Sequence, residues 1–152
     1  MAKAAGTNGT NEIDQMGAIH LTLQGKGGVG KSLVASILAQ YLVEKGRDVR
    51  CIDTDPVNRT FAQYASLGAD KLNLRDEHNR IEQRAFDSLM ERFLTEDAST
   101  FVVDNGASTF LPLWHYLLEN NALEYLRQNG RRVYVHTVIT GGQALRHPEW
   151  LS

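Results

Sequence analysis

The sequence has a single cysteine and no long apolar run, and these two scarcities exclude several classes of protein. Cys51 has no second cysteine to pair with, so it cannot form an internal disulfide, and we expect a reducing, cytoplasmic setting. No stretch approaches the roughly 20 apolar residues that a membrane-spanning helix needs. The first residues also lack the apolar segment of a signal peptide. We therefore expect neither a membrane span nor a signal peptide.

The chain also has no excess of basic residues. Its 16 Lys and Arg stand against 18 Asp and Glu, which gives a net charge of −2. Arg131 and Arg132 are too few to form a basic stripe, so the sequence gives no electrostatic support for DNA binding, which stays an open possibility. The five histidines show no metal-ligand spacing. A length of 152 residues with 42% hydrophobic content is typical of one globular domain.

Glycine, by contrast, is concentrated in one stretch that reads GKGGVGKS and fits the phosphate-binding pattern G-x-x-x-x-G-K-[ST] at every fixed position. A β-rich run at residues 19–23 precedes it, and apolar residues at helical spacing follow it. Glycines let the backbone wrap tightly and direct several N–H groups at one centre, beside the positive end of a helix. A plain glycine-rich turn is the alternative, and the fit of the motif to its context disfavours it. The predicted phosphate-binding residues are Gly25, Lys26, Gly27, Gly28, Val29, Gly30, Lys31 and Ser32.

Two side chains in this loop have a predicted chemical role. Lys31 supplies a positive charge for the outer phosphates of a nucleotide, and the Ser32 hydroxyl can bind Mg²⁺. Both roles follow from the same motif, so we predict a nucleoside triphosphate and Mg²⁺ as ligands.

Alternating strand and helix patterns predict a doubly wound α/β domain with a mainly parallel sheet. Strands are predicted at residues 19–23, 49–52, 71–74, 100–103 and 132–139. Helices are predicted at residues 31–45, 80–94 and 111–128, the last with a break at 120–121, and a further helix is possible at 61–67. Residues 1–17 show no periodicity, and we expect a disordered leader there.

Carboxylates follow two of the predicted strands. Asp53 and Asp55 come after the second strand, and Asp104 ends the fourth. The carboxyl ends of strands in open α/β sheets form the ligand-binding edge, so these side chains can face the Mg²⁺ and the terminal phosphate. A solvated acidic turn is the alternative for the first pair, and strand-end aspartates are common. Gly106 is expected to allow a close backbone approach.

The loop and these aspartates resemble the ParA and MinD family of P-loop ATPases, whose deviant Walker A loop carries an extra lysine. The resemblance implies that Lys26 reaches the partner's nucleotide across a homodimer interface. It also implies that Asp55 positions the attacking water and Asp53 supports the metal shell, while Asp104 accepts a hydrogen bond from a water bound to Mg²⁺. The chain departs from the family where Val57, Asn58 and Arg59 replace a frequent Gln-Gly-Asn.

The same resemblance implies Mg²⁺-dependent ATP binding and slow hydrolysis coupled to dimer formation. Segments such as DNGAS and TGGQAL are similar to a subgroup that serves plasmid conjugal transfer, which implies other transfer proteins as partners. Family members continue through more strands and helices, so we expect residues 18–152 to form a P-loop domain that is incomplete at its C-terminus, and this puts base specificity in doubt. The single cysteine argues against the iron–sulfur reductases that share the loop.

Two other functions remain open. A non-catalytic module would bind ATP without turnover and use it to control an interaction. A P-loop kinase would transfer phosphate to a small acceptor, although the sequence contains no recognisable lid or acceptor site.

Overall fold

The computed structural model describes residues 17–76, 78, 82–96 and 99–139. Within them the chain forms a five-stranded parallel sheet. The strands are β1 (Ala18–Thr22), β2 (Val49–Asp53), β3 (Asp70–Lys71), β4 (Thr100–Asp104) and β5 (Arg132–His136). Their order across the sheet is β3-β2-β4-β1-β5. The predicted α/β fold with a parallel sheet is therefore confirmed.

Helices connect the strands. They are α1 (Lys31–Glu44), α2 (Gln83–Thr95), α3 (Phe110–Glu119) and α4 (Ala122–Gln128). Short 3-10 turns occur at Phe61–Gln63, Ala65–Leu67 and Ala107–Thr109. Asn121 separates α3 from α4 because its backbone is left-handed, with a φ of 49°. The predicted break in the last helical stretch is confirmed.

Each face of the sheet is covered by a different set of helices. Buried side chains of α2, α3 and α4 pack against one face, on which Phe101 and Val103 of β4 also lie. Val102, between them in the strand, packs with α1 on the other face. Because side chains alternate along a strand, a central strand covered on both faces is apolar along its middle, as Phe101, Val102 and Val103 are here. This is the layering expected of a doubly wound domain.

Several predicted boundaries change. The third strand lies at Asp70–Lys71 rather than 71–74, and β5 ends at His136 rather than 139. The segment at 61–67, where a further helix was one alternative, forms two 3-10 turns, and the Ala62 N–H in the first of them donates to Asp53. The predicted leader, apart from Gly17, and the TGG segment at 140–142 lie outside the described residues.

The face of α1 that packs on the sheet is made of small residues. Ala35 and Ala39 are fully buried, whereas Leu33, Ile37 and Tyr41 are more than half exposed. Small side chains let the helix approach the sheet closely, so the larger apolar residues project outward. Among the described residues, no helix has the length and apolar character that a membrane crossing requires.

The strand register places the predicted acidic residues at one edge. Thr22 of β1 pairs with Asp104 of β4, and Asp53 of β2 pairs with the same Asp104. The glycine-rich loop leaves β1 at this edge, because it follows Thr22 and precedes α1. The carboxyl edge of the sheet therefore brings the loop and two of the three aspartates together.

Candidate functional site

The loop between β1 and α1 depends on glycine at two positions. Gly28 and Gly30 have φ values of 70° and 95°, which residues with a side chain rarely adopt. A Cβ atom built on Gly27, Gly28 or Gly30 would meet no atom within 4 Å. The loop therefore has open space beside its backbone, next to the N-terminus of a 14-residue helix whose dipole attracts anions.

Lys31 lies against the inside of this loop. Its side chain is 8% exposed, and Nζ donates a hydrogen bond to the backbone carbonyl of Lys26 at 2.9 Å. A buried ammonium group held by one loop carbonyl keeps donor capacity for an anionic ligand. Lys26 itself is exposed. The structure thus separates the two lysines, with Lys31 inside the loop and Lys26 on the surface.

Asp104 faces the first turn of α1. Its Oδ1 accepts a hydrogen bond from the Thr22 hydroxyl at 3.0 Å, and the Ser32 hydroxyl lies near enough to the carboxylate to affect its pKa. Burial raises the pKa of Asp104, and the hydroxyls of Ser32 and Thr22 oppose that rise. The structure therefore places Ser32 near Asp104, and their joint role at a metal stays a prediction. Sequence reasoning missed Thr22, whose only signal was a hydroxyl residue near the end of the strand that precedes the loop.

Asp53 is engaged by the backbone. Its Oδ1 accepts the N–H of Asp55 at 3.0 Å, and its Oδ2 accepts the N–H of Ala62 at 2.9 Å. Burial raises the pKa of Asp53 as well, and these backbone bonds oppose the rise. The observed contacts assign Asp53 to holding the segment after β2 in shape, and its predicted part in a metal shell stays a prediction.

Asp55 forms the turn after β2 and touches the end of β4. Its Oδ1 accepts the N–H groups of Val57 at 2.8 Å and Asn58 at 3.0 Å. A Cβ on Gly106 would lie only 2.9 Å from Asp55 Cγ and 3.0 Å from its Cα. The close approach expected at Gly106 is therefore present, and its partner is the residue predicted to position water.

A buried polar cluster lies behind these groups. The side-chain oxygen of Asn105 accepts hydrogen bonds from the hydroxyls of Thr54 at 2.9 Å and Thr109 at 3.0 Å. The Thr109 hydroxyl also lies within hydrogen-bond distance of the carbonyl of Gly106, at 3.0 Å. The signal for this cluster was three small polar residues close to strand ends.

Comparison with known proteins identifies the family. The family described as "CobQ/CobB/MinD/ParA nucleotide binding domain" matches residues 21–128, which is more than half of the chain. The chain belongs to this family. The match runs from the end of β1 through α4, so it includes the glycine-rich loop and all three aspartates. The resemblance to ParA and MinD is confirmed, and the chain is a P-loop nucleotide-binding protein.

The chain is also similar to individual proteins of known name. Two curated proteins, each named Protein TraL from Escherichia coli, are 49% identical to the chain over 130 residues, which are 86% of this chain and 53% of each relative. The cytosolic Fe-S cluster assembly factor nubp2 of Danio rerio is 28% identical over 104 residues, 65% of this chain and 39% of that protein. The chain thus spans about half the length of the TraL relatives. No solved structure gave a significant match.

The donor groups fit a hard divalent cation of the kind that P-loop proteins use. Mg²⁺ takes few ligands from protein and keeps water or phosphate oxygens for the rest. The Ser32 hydroxyl and the Asp104 carboxylate are oxygen donors that lie near each other. Among the described residues there is no group of three or more His, Cys, Asp or Glu that could hold a metal by itself. A Mg²⁺ site that takes two protein oxygens and completes its shell with phosphate and water oxygens agrees with these observations.

Two histidines form a separate contact on β1 and β5. His20 Nδ1 lies 2.9 Å from His136 Nε2, and the His20 ring stacks on Tyr134 with centroids 5.0 Å apart. Burial, with the nearby charges of His136 and Arg132, lowers the pKa of His20 to about 4.

Proposed function

We propose that the chain binds ATP with Mg²⁺ and hydrolyses it slowly, as a dimerising switch that serves plasmid conjugal DNA transfer. The observation that carries the proposal is the meeting of three groups at the start of α1. These are the buried Lys31 ammonium, the Ser32 hydroxyl and the Asp104 carboxylate. Phosphoryl transfer needs positioning and charge stabilisation more than covalent chemistry, and these groups are suited to both.

Each residue has a defined task in this proposal. The loop N–H groups and Lys31 bind the phosphates, and Lys31 neutralises charge that develops on the terminal phosphate. Ser32 and Asp104 would hold Mg²⁺, which supplies further positive charge at the phosphates. Asp55 lies at the same sheet edge and orients the attacking water.

Dimerisation and conjugal transfer rest on relatives rather than on contacts in this chain. The exposed position of Lys26 is compatible with a contact to a second subunit. The likeness to TraL supports a role in transfer, and the other transfer proteins are the proposed partners.

A non-catalytic, nucleotide-dependent interaction module is the second candidate. One observation favours it: Asp55 Oδ1 already accepts two backbone N–H groups, from Val57 and Asn58. If that turn persists with ATP bound, Asp55 has less capacity to accept a proton or orient water. This candidate predicts ATP binding with no phosphate release at any protein concentration.

Thermal unfolding with and without Mg-ATP tests the binding step. A ligand at 100 times its dissociation constant stabilises the folded state by about 2.7 kcal/mol. For a domain of this size we expect the unfolding temperature to rise by about 5–11 °C. Lys31→Ala should abolish the rise, because it removes the buried charge of the loop. Lys45→Ala, at the far end of α1, is the matched control and should keep it.

The outcome separates the candidates. An equal rise in Lys31→Ala and in the unmodified chain would contradict phosphate binding at this loop. The dimerising ATPase predicts two results. The unfolding temperature rises with Mg-ATP in the unmodified chain and in Lys45→Ala but not in Lys31→Ala, and the rate of phosphate release per subunit increases with protein concentration. The same rise without phosphate release would favour the non-catalytic module.

A further inference from the structure

A buried polar bridge joins the end of β2 to the end of β4. It consists of Thr54, Asn105 and Thr109, whose exposures are 1%, 0% and 0%. Asn105 Oδ1 accepts the hydroxyls of Thr54 and Thr109 at 2.9 and 3.0 Å, and Asn105 Nδ2 donates to the carbonyl of Gly106 at 3.2 Å. We call this set the Thr54–Asn105–Thr109 bridge.

The bridge has one defined arrangement. A backbone carbonyl can only accept hydrogen bonds, so the contact with Gly106 fixes the Asn105 nitrogen on that side and its oxygen toward the two hydroxyls. The Thr54 backbone N–H also donates to the carbonyl of Asp104 at 2.9 Å. Buried polar groups that lose a partner carry a large desolvation cost, so the members hold one another in place.

The bridge reaches Asp55 from two sides. Thr54 precedes Asp55 in the chain, and Gly106 follows Asn105 and packs directly on Asp55 Cγ and Cα. The bridge therefore fixes Asp55 relative to Asp104, which lies near Ser32 at the start of α1. Phe110, one residue beyond Thr109, lies against Gly25, where a Cβ would be 3.3 Å from Phe110 Cδ1.

We infer that Asn105, through Thr54 and Gly106, is a positioning residue that sets Asp55 for the hydrolysis step and couples its position to that of the loop. The inference rests on the proposed function, because it assigns Asp55 its role in orienting water. None of the three bridge side chains belongs to the phosphate loop. Disturbing the bridge should therefore slow turnover while ATP affinity stays close to that of the unmodified chain.

The test compares Thr54→Val, which removes the hydroxyl and keeps the shape, with Thr54→Ser, which keeps the hydroxyl. We expect kcat for ATP hydrolysis to fall about 10- to 100-fold in Thr54→Val, since small misplacements of reacting groups cost that much. The dissociation constant for ATP should change less than about threefold. Thr54→Ser should restore most of the rate. Thr100→Val, a buried threonine at the opposite end of β4, is the matched control and should hydrolyse ATP at the unmodified rate.

A second measurement does not depend on turnover. In the absence of nucleotide, the amides of Asp55 and Val57 bond to Asp53 and Asp55, so their hydrogen exchange reports the shape of this turn. We expect faster exchange at both amides in Thr54→Val and not in Thr54→Ser or Thr100→Val. If Thr54→Val does not fold, Thr109→Val removes the other hydroxyl bound by Asn105 and replaces it in both measurements.

The outcomes distinguish this inference from the proposed function. Unchanged exchange at Asp55 and Val57 overturns the inference, whatever the rate of hydrolysis. Equal kcat values for Thr54→Val and the unmodified chain overturn it as well. If the unmodified chain binds ATP without hydrolysing it, the proposed function fails, and the exchange comparison alone decides whether the bridge positions Asp55.

Discussion

Replacing Gly106 by alanine perturbs the contact between the ends of β2 and β4 with a single methyl group. The backbone at Gly106 has a φ of −64° and a ψ of 151°, which alanine adopts without strain, so the effect on the folded state is steric. The new Cβ would lie 2.9 Å from Asp55 Cγ and 3.0 Å from Asp55 Cα. Ordinary contacts begin at 3.4 Å, so Asp55 must move by about 0.5 Å. Because one of the atoms is backbone, rotating the side chain cannot relieve the clash.

The expected magnitude follows from this geometry. Overfilling a packed position by one methyl group usually lowers the free energy of unfolding by about 1–3 kcal/mol. For a domain of this size, the unfolding temperature should fall by about 2–12 °C. Hydrolysis of ATP should fall about tenfold or more, because Asp55 is displaced while the loop is not. The assay combines thermal unfolding, ATP affinity and phosphate release on the same preparation.

Gly27→Ala is the matched control for unfolding. A Cβ on Gly27 meets no atom within 4 Å, so Gly27→Ala adds no clash. Both variants lower the entropy of the unfolded chain to a similar extent. The difference between the two unfolding temperatures therefore reports the contact with Asp55. Equal unfolding temperatures in Gly106→Ala and Gly27→Ala, together with unmodified hydrolysis in Gly106→Ala, would refute the reasoning that Gly106 holds Asp55.

Two further predictions concern charge. Lys26→Ala should keep the rise in unfolding temperature with Mg-ATP, because Lys31 provides the buried charge. It should lower the rate of ATP hydrolysis if Lys26 acts across a dimer. Equal rates in the variant and the unmodified chain would contradict the cross-dimer role of Lys26. Stability should also depend on the pair formed by His20 and His136. The pKa of His20 is lowered from 6.5 to about 4, so between these values the unfolded chain binds more protons than the folded one, and the free energy of unfolding falls as pH decreases. The urea midpoints of unfolding at pH 7.5 and 5.0 measure this change. The midpoint of His20→Gln should fall less between these pH values than that of the unmodified chain, and an equal fall would contradict the role of the pair.

The fold and the phosphate loop could be predicted because their signals are local. The glycine-rich motif between a β-rich run and a helical run specifies strand, loop and helix without long-range information. Apolar segments predicted all five strands, although two boundaries moved by a few residues. For the segment after β2 a helix was only one alternative, and its observed 3-10 turns include a bond from Ala62 to Asp53, nine residues earlier.

Only the tertiary structure shows which face of α1 packs on the sheet. Its spacing of apolar residues predicts a helix, and either the large or the small residues could have faced the sheet. Ala35 and Ala39 are the residues that face it, and their small side chains let the helix lie close to the sheet.

The sequence by itself determined the chemistry available to this protein: the lysines and serine of one loop, and three aspartates at strand ends. Only the tertiary structure decided which of these groups meet. Parallel register places Thr22 and Asp53 beside Asp104, and the sheet order brings Thr54 to Asn105 across 51 residues of sequence. Hydrogen bonds and steric contacts act over a few ångströms in space, so no local pattern could have assigned Thr22, Asn105 and Gly106 their partners.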